Sequence, residues 1–162
     1  MGSPIRTMMV HVDGTEQSIV AAQYAVLLAK QIEARLFAAF VVNTRALSDL
    51  VKTHIFLETE EQEYERDLEA DADRYLNHVK QLAAQKDCPI ETVKARGNVH
   101  QELIRVVTEN HVDLLVLGEL AHVRSRRDEF YNEAERAMRS VSCTVLIVKD
   151  EDRVYDLFES NL

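Results

Sequence analysis

The architecture of this chain follows from residues 8–15, which read MMVHVDGT. A short apolar run that is closed by an Asp-Gly-Thr turn is typical of a buried strand. Residues 16–34 come next and carry alanine, leucine and isoleucine at helical spacing, which predicts a helix with one broad apolar face. A second apolar run, LFAAFVV at residues 36–42, predicts another buried strand. The chain therefore opens with a β-α-β unit.

The same alternation continues to the other end of the chain. Residues 43–57 have an irregular pattern, and a long polar helix with a narrow apolar stripe follows until Cys88-Pro89, since the residue before proline disfavours the α region. The order predicts an α/β domain, a doubly wound parallel five-stranded sheet with helices on both faces, and any ligand at the carboxyl ends of the strands. The remaining predicted elements are strands at 90–95, 114–117 and 144–148 and helices after Asn98 and over 128–140, and the stripe comprises Tyr64, Leu68, Ala72, Tyr75, Val79 and Leu82.

Composition limits the classes of function. The 162 residues suit one domain, and 19 basic against 28 acidic side chains give a net charge of −9, which repels a phosphate backbone and argues against nucleic-acid binding. No apolar run approaches the roughly 18 residues that a membrane span needs, so we expect no membrane insertion. Cys88 and Cys143 have neither metal nor redox spacing, which indicates reduced thiols, no metal site and a cytoplasmic protein.

Three parts of the chain resemble the universal stress protein family. They are MVHVDGTEQS at residues 9–18, GNVH at 97–100 together with VDLLVLG at 112–118, and SCTVLIV at 142–148. The resemblance spans residues 5–149, so we expect a universal stress protein domain at 1–149 and a C-terminal tail at 150–162. It implies a Rossmann-like fold, of the adenine nucleotide alpha hydrolase type, with strand order 3-2-1-4-5. It also implies a ligand position between strands 1 and 4, where some members of the family bind ATP.

The resemblance also implies roles for individual residues. Asp13 would meet the sugar or base of a nucleotide, Val41 would offer backbone contacts to adenine, and Gly118 would begin a Gly-x2-Gly-x9-Gly-Ser/Thr loop around the phosphates. Backbone N–H groups reach anionic oxygens closely only where no Cβ intervenes.

This chain departs from that loop pattern. Ala121 holds the place of the second glycine, and Tyr131 and Asn132 stand where the third glycine and its hydroxyl partner belong. We therefore expect no cofactor, with ATP disfavoured. Two readings remain for the arginines of the loop: they hold an anion through guanidinium forks, or, as we favour, they pair with neighbouring carboxylates in a solvated loop. The arginines are Arg124, Arg126 and Arg127, and the carboxylates are Asp128, Glu129 and Glu133.

No residue pattern predicts catalysis. Asp13 has two equally open roles, as a ligand contact or as a side chain that orders the turn after the first strand. His11 lies inside that strand, and we expect a hydrogen-bonded core histidine rather than a catalytic one. The other histidines have no ligand spacing, and no Ser–His–acid arrangement is evident. We therefore expect a protein that is not an enzyme.

Two features point to protein partners. The fifth strand ends in the apolar residues Val145, Leu146, Ile147 and Val148, and an apolar edge strand needs a cover. The resemblance implies that the cover is the fifth strand of a second subunit, paired antiparallel about a two-fold axis. The tail carries four large apolar groups, and we expect it to dock on the dimer mate or on an outside protein. These groups are Val154, Tyr155, Leu157 and Phe158.

The predicted function is accordingly a stress-response or regulatory homodimer that is not an enzyme, acts through protein–protein contacts and has no conventional ATP site. The alternative is a nucleotide- or anion-binding sensor that uses Asp13, Val41, Gly118 and the loop arginines. Slow ATP hydrolysis is a third and weaker reading.

Overall fold

The computed structural model describes residues 2–53, 57–120 and 133–160. Its five strands form one sheet in the order β3-β2-β1-β4-β5, and every pair of neighbours is parallel. This is the predicted strand order. The strands are β1 (Thr7–His11), β2 (Arg35–Val42), β3 (Glu91–Arg96), β4 (Leu114–Gly118) and β5 (Thr144–Val148).

Helices cover both faces of the sheet, as predicted. One face packs under α1, α3 and α6, and the other packs under α4 and α5. Because both faces are covered, the central strands are almost continuously buried, which explains their unbroken apolar runs. The helices of the described residues are α1 (Glu16–Ile32), α2 (Thr44–Lys52), α3 (Glu58–Gln85), α4 (Val99–Glu109), α5 (Glu133–Ser140) and α6 (Glu151–Glu159).

The region 43–57, which we expected to be irregular, instead contains the helix α2. The prediction was wrong because nine residues make little more than two turns, too few to establish a period, and a helix of that length depends on tertiary packing. Here α2 packs against α3.

The long helix α3 reaches beyond the sheet. Its 28 residues are about 42 Å long, while strands of five to eight residues reach only about 17–27 Å. Arg96, the last residue of β3, forms an ion pair with Glu69, so the turns of α3 before Glu69 pass the carboxyl edge of the sheet. Tyr64 at the start of the predicted stripe is accordingly 47% exposed, and the buried positions of the stripe begin with Ala72.

The C-terminal tail forms α6, which docks on its own chain. Val154 and Phe158 are buried in the same core cluster as α1. Lys86 Nζ lies 4.7 Å from the centre of the Phe158 ring and donates to the Ser160 carbonyl at 3.3 Å. The expectation that these apolar groups need a second subunit or an outside protein is thus wrong for Val154 and Phe158, because α1 already covers them. Contact between a partner and the outer side of the tail stays a prediction.

Candidate functional site

The strand order reverses between β1 and β4, and the carboxyl ends of these two strands form the candidate site. The strands β2 and β3 lie on one side of β1, and β4 and β5 lie on its other side. In open parallel sheets the loops at such a switch point diverge and leave a crevice for a ligand. Asp13 follows β1 and Gly118 ends β4, so the structure brings these two predicted residues together; Val41 lies near the end of β2 and is buried.

Asp13 orders the turn between β1 and α1. Its Oδ1 accepts hydrogen bonds from Thr15 N at 3.0 Å and from Thr15 Oγ1 at 2.6 Å, and its own N–H donates to Ser18 Oγ at 3.3 Å. Thr15 Oγ1 in turn accepts from Ser18 N at 3.2 Å and so caps α1. The turn-forming role of Asp13 is therefore present, and a ligand role stays a prediction.

Several effects compete at the Asp13 carboxyl group. Desolvation by itself raises the pKa, but the nearby His11 and the hydrogen bonds from Thr15 and Ser18 outweigh it and lower the pKa below the ordinary value. Both bonds from Thr15 fall on Oδ1, and the residue as a whole is exposed. The carboxylate is therefore ionised at neutral pH and accessible at the switch point.

His11 is the last residue of β1 and is only 6% exposed. It pairs in register with Ala39 and, by strand alternation with Met9, faces the α4 and α5 side of the sheet. Burial lowers the pKa of the imidazole below 6.5, so the ring is neutral at pH 7. We expected a hydrogen-bonded core histidine. The residue is buried as expected, and the hydrogen bond to its ring stays a prediction.

Gly118 is required by helix packing. A Cβ atom at this position would lie 2.5 Å from the carbonyl oxygen of Gln17 and 2.6 Å from its carbonyl carbon. Both atoms belong to the backbone of the first turn of α1, which cannot move aside as a flexible side chain can. The family resemblance assigned Gly118 to a phosphate loop, but its packing against the backbone of Gln17 is sufficient to explain a glycine at this position.

Glu133, the first residue of α5, links that helix to α4. Its Oε2 accepts from His100 N at 3.3 Å and lies 2.5 Å from His100 Nδ1, and its Oε1 accepts from Arg136 at 3.3 Å. Burial by itself raises the pKa of Glu133, but His100 and Arg136 reverse the effect and lower it. Sequence reasoning missed this pair, because 33 positions separate its members and neither stands in a motif.

The remaining candidate residues cannot be placed. Arg124, Arg126 and Arg127 lie outside the described residues, and so do the loop departures at Ala121, Tyr131 and Asn132. Their roles stay predictions.

A second concave surface of about 540 Å³ lies between α3 and β3, away from the switch point. Opposite charges already pair there: Lys94 Nζ is 3.1 Å from Glu69 and 2.9 Å from Asp73, and Arg96 contacts Glu69. These contacts hold α3 against the sheet edge. Within the part of the chain that the structure describes, no group of three or more His, Cys, Asp or Glu side chains could hold a metal ion, and no helix is long and apolar enough to cross a membrane.

Comparison with known proteins identifies relatives over nearly the whole chain. The model of the universal stress protein family matches residues 4–149. Universal stress protein MJ0531 of Methanocaldococcus jannaschii is 26% identical over 144 residues, which cover 89% of this chain and 82% of that protein. Universal stress protein YxiE of Bacillus subtilis is also 26% identical over 144 residues, covering 88% of this chain and 97% of that protein.

Solved structures share the fold. A universal stress protein family member from Burkholderia pseudomallei superposes with a TM-score of 0.71 at 20% identity, covering 93% of this chain and 100% of that one. A universal stress protein in complex with cAMP gives 0.61 at 20% identity over 90% and 98% of the two chains. An Arabidopsis thaliana family member with AMP bound gives 0.62 at 12% identity over 91% and 94%. Since the family model covers all five strands of the β3-β2-β1-β4-β5 sheet and its switch point, this chain belongs to the universal stress protein family.

Proposed function

We propose that this chain is a regulatory protein of the stress response that works as a cytoplasmic homodimer, acts through protein–protein contacts, catalyses no reaction and has no conventional ATP site. The observation that carries the proposal is the apolar edge strand β5. Val145, Leu146 and Ile147 are each half-buried, and within the described residues β5 pairs only with β4. An edge of this kind presents unpaired backbone groups and apolar side chains to a second strand.

The contrast with the other edge of the sheet supports this choice. The strand β3 carries Glu91, Lys94 and Arg96, all of which form ion pairs, and charge on an edge discourages pairing with another chain. The strand β5 carries no charged residue. Two β5 strands related by a two-fold axis would pair antiparallel and extend the sheet across both subunits.

The chemistry of the switch point argues against a conventional triphosphate site. The glycine pattern fails at Ala121 and Tyr131, and Gly118 is accounted for by its packing on Gln17. The carboxylates of Asp13 and Glu133 add negative charge at the same end of the sheet. The residues present therefore do not fit the phosphates of ATP, and no step of the proposed function passes through them.

The strand-pairing proposal is tested by Ile147→Lys. Val145 and Leu146 pack against the two core clusters, whereas Ile147 belongs to neither, so a charge at Ile147 blocks pairing with little damage to the core. We expect the wild-type protein to be a dimer and the variant a monomer in light scattering coupled to size exclusion.

Thr92→Lys on the edge strand β3 is the matched control and should remain a dimer. A monomeric wild type, or an Ile147→Lys variant that stays dimeric, would contradict the proposal.

The second candidate function is a nucleotide- or anion-binding sensor at the switch point. The exposed and ionised carboxylate of Asp13 supports it, together with relatives of the same fold whose solved structures contain cAMP or AMP. The arginines of the sequence 124–127 would supply the positive charge in this reading.

Thermal melting with and without millimolar Mg-ATP separates the two candidates. A ligand at a hundred times its Kd that binds only the native state stabilises it by about 2.7 kcal/mol. The regulator function predicts no shift. The sensor function predicts a shift that Asp13→Ala or Arg126→Ala abolishes and that the exposed-site control Arg139→Ala retains.

A further inference from the structure

We infer that the start of α3, residues 57–68, is a docking surface for a basic amphipathic helix of a partner protein. We call this part of the helix the α3 arm. The inference rests on the proposed action through protein–protein contacts, and it adds the surface that makes the contact and the chemistry of the partner that fits it.

The α3 arm carries an apolar stripe that meets solvent. Within the described part of the chain, the two large apolar side chains that are exposed are Leu57, at 67%, and Tyr64, at 47%. They stand seven positions apart, so two helical turns bring them to the same side of the helix. The half-buried Leu68 continues the line toward the buried Ala72. The stripe that packs α3 onto the sheet therefore continues past the sheet edge without a cover. Exposed apolar surface with a polar rim is typical of a protein interaction site.

Carboxylates line both sides of this stripe. By helical spacing, Glu60 and Asp67 lie on one side of it, and Glu61 and Glu65 lie on the other. Glu60 Oε2 also accepts from Leu57 N at 3.3 Å, which keeps this carboxylate beside the stripe. The arm thus has an apolar centre between two acidic borders.

The acids of the arm differ from those further along the same helix in their charge partners. Within the described residues the ion pairs of α3 begin at Glu69, where basic residues of β3 and of α3 itself supply the positive charge. Arg66 is the one basic residue of the arm, and nine positions from Leu57 place it on the opposite side of the helix, beside the concave surface between α3 and β3. The positive charge for the borders of the stripe must therefore come from another molecule.

The occupant that fits is a helix with an apolar stripe of its own and lysine or arginine on both sides of it. Such a helix covers the apolar stripe of the arm and pairs with its borders, as e and g residues do in coiled coils. A second copy of this chain is a poor occupant, because residues 58–73 carry nine acidic side chains and one arginine and would repel the same surface. Nucleic acid and anionic lipid are repelled for the same reason.

The α3 arm stays open in the proposed homodimer. The helix α3 packs on β2 and β3, at one edge of the sheet, whereas β5 forms the opposite edge. Pairing through β5 therefore leaves the arm of each subunit uncovered, and one dimer presents two docking surfaces.

The first experiment measures fluorescence anisotropy of labelled helical peptides of about three heptads. The basic amphipathic peptide has leucine at a and d and lysine at e and g. One twin has glutamate in place of lysine, and the other has serine in place of leucine. The wild-type protein should bind the basic amphipathic peptide at least about tenfold more tightly than either twin, since burial of two large apolar side chains is worth that factor. The affinity should fall with added salt, which screens the charges.

Two double variants test the location of binding. Leu57→Ser with Tyr64→Gln should weaken binding by about tenfold or more. Leu57 stands at the N-cap position of α3, where serine is favourable, and glutamine is a good helix former, so the melting temperature should stay close to that of wild type. Glu61→Gln with Glu65→Gln should weaken binding and reduce its salt dependence.

The matched control is Asp156→Asn with Glu159→Gln, which removes the same charge at exposed positions of α6 and should bind like wild type. Failure of wild type to bind the basic amphipathic peptide, equal binding of the serine twin, or an equal loss in the α6 control would overturn the inference. Each of these results leaves the strand-pairing proposal standing if light scattering still shows a dimer. A monomeric wild type that binds the peptide would overturn only the strand pairing.

Discussion

Gly118 illustrates how one residue can satisfy a family pattern for a reason other than ligand binding. Its missing Cβ makes room for the backbone of Gln17 at the first turn of α1. Gly14 has a comparable role, since its φ of +84° suits glycine and a Cβ there would lie 2.7 Å from the nearest ring atom of Tyr75. Both glycines are needed to join strands to helices, so their presence is no evidence for a phosphate.

Gly118→Ala tests this reading at the residue scale. The added Cβ would overlap backbone atoms, and overpacking of this kind costs about 1–3 kcal/mol. We expect a lower free energy of unfolding in urea, by the same amount with and without nucleotide. Gly2→Ala, whose new Cβ would meet only the flexible end of Arg6, is the control and should be neutral. An unchanged stability for Gly118→Ala would contradict the packing role.

The element that sequence reasoning placed least well is the tail. Its apolar residues were recognised, but their partner was not, since a helical pattern shows that a face is buried and not what buries it. In the structure α1 packs over β4 and β5, and α6 packs against α1 in the same core cluster. The hydrogen bond from Tyr155 Oη to Glu16 Oε1, at 3.4 Å, joins α6 to the start of α1 beside the switch point.

Phe158→Ala measures the contribution of α6. The side chain is 4% exposed and lies under Lys86, so its removal leaves a cavity, and such changes cost about 3–5 kcal/mol. We expect a loss near the lower limit, because a terminal helix can shift to close part of the gap. Leu157→Ala, on the same helix but outside the core clusters, should cost much less. Equal effects of the two substitutions would show that α6 is not docked on α1.

At the scale of the whole molecule, charge is distributed unevenly. Residues 58–73 hold nine acidic side chains and one arginine, so this part of α3 carries a net charge of −8 out of the −9 of the whole chain. Part of this charge is neutralised where Lys94 and Arg96 pair with Glu69 and Asp73. The rest of the molecule is close to neutral, which leaves the apolar edge at β5 free of strong like-charge repulsion between two copies.

Stability should fall as the pH is lowered. Burial lowers the pKa of His11 in the folded protein below 6.5. Below pH 6.5 the imidazole therefore binds a proton more readily in the unfolded chain than in the folded chain, and the free energy of unfolding decreases. The lowered pKa values of Asp13, Asp113 and Glu133 add a second loss below their ordinary values of 3.8 to 4.5. Glu151, whose pKa is raised by the nearby Glu16, acts in the opposite direction, but it lies at the surface, where solvent screens the interaction.

Urea midpoints between pH 7.5 and pH 2.5 measure this dependence, because the carboxylate part lies below the ordinary values of 3.8 to 4.5. We expect a decline that begins near pH 6.5, and His11→Val should remove its upper part while leaving the carboxylate part in place. A midpoint that rises on acidification would contradict the assignment.

The local pattern of this chain determined the order of its strands and of its helices apart from α2, the parallel sheet and the turn at Asp13, because apolar period and turn chemistry act between residues that are near in sequence. Only the tertiary structure decided that α6 docks on α1 and that Glu133 pairs with His100. Those facts depend on which distant residues meet. The apolar pattern of a sequence predicts that a side chain is buried. The residues that bury it are known only from the packing of the whole chain.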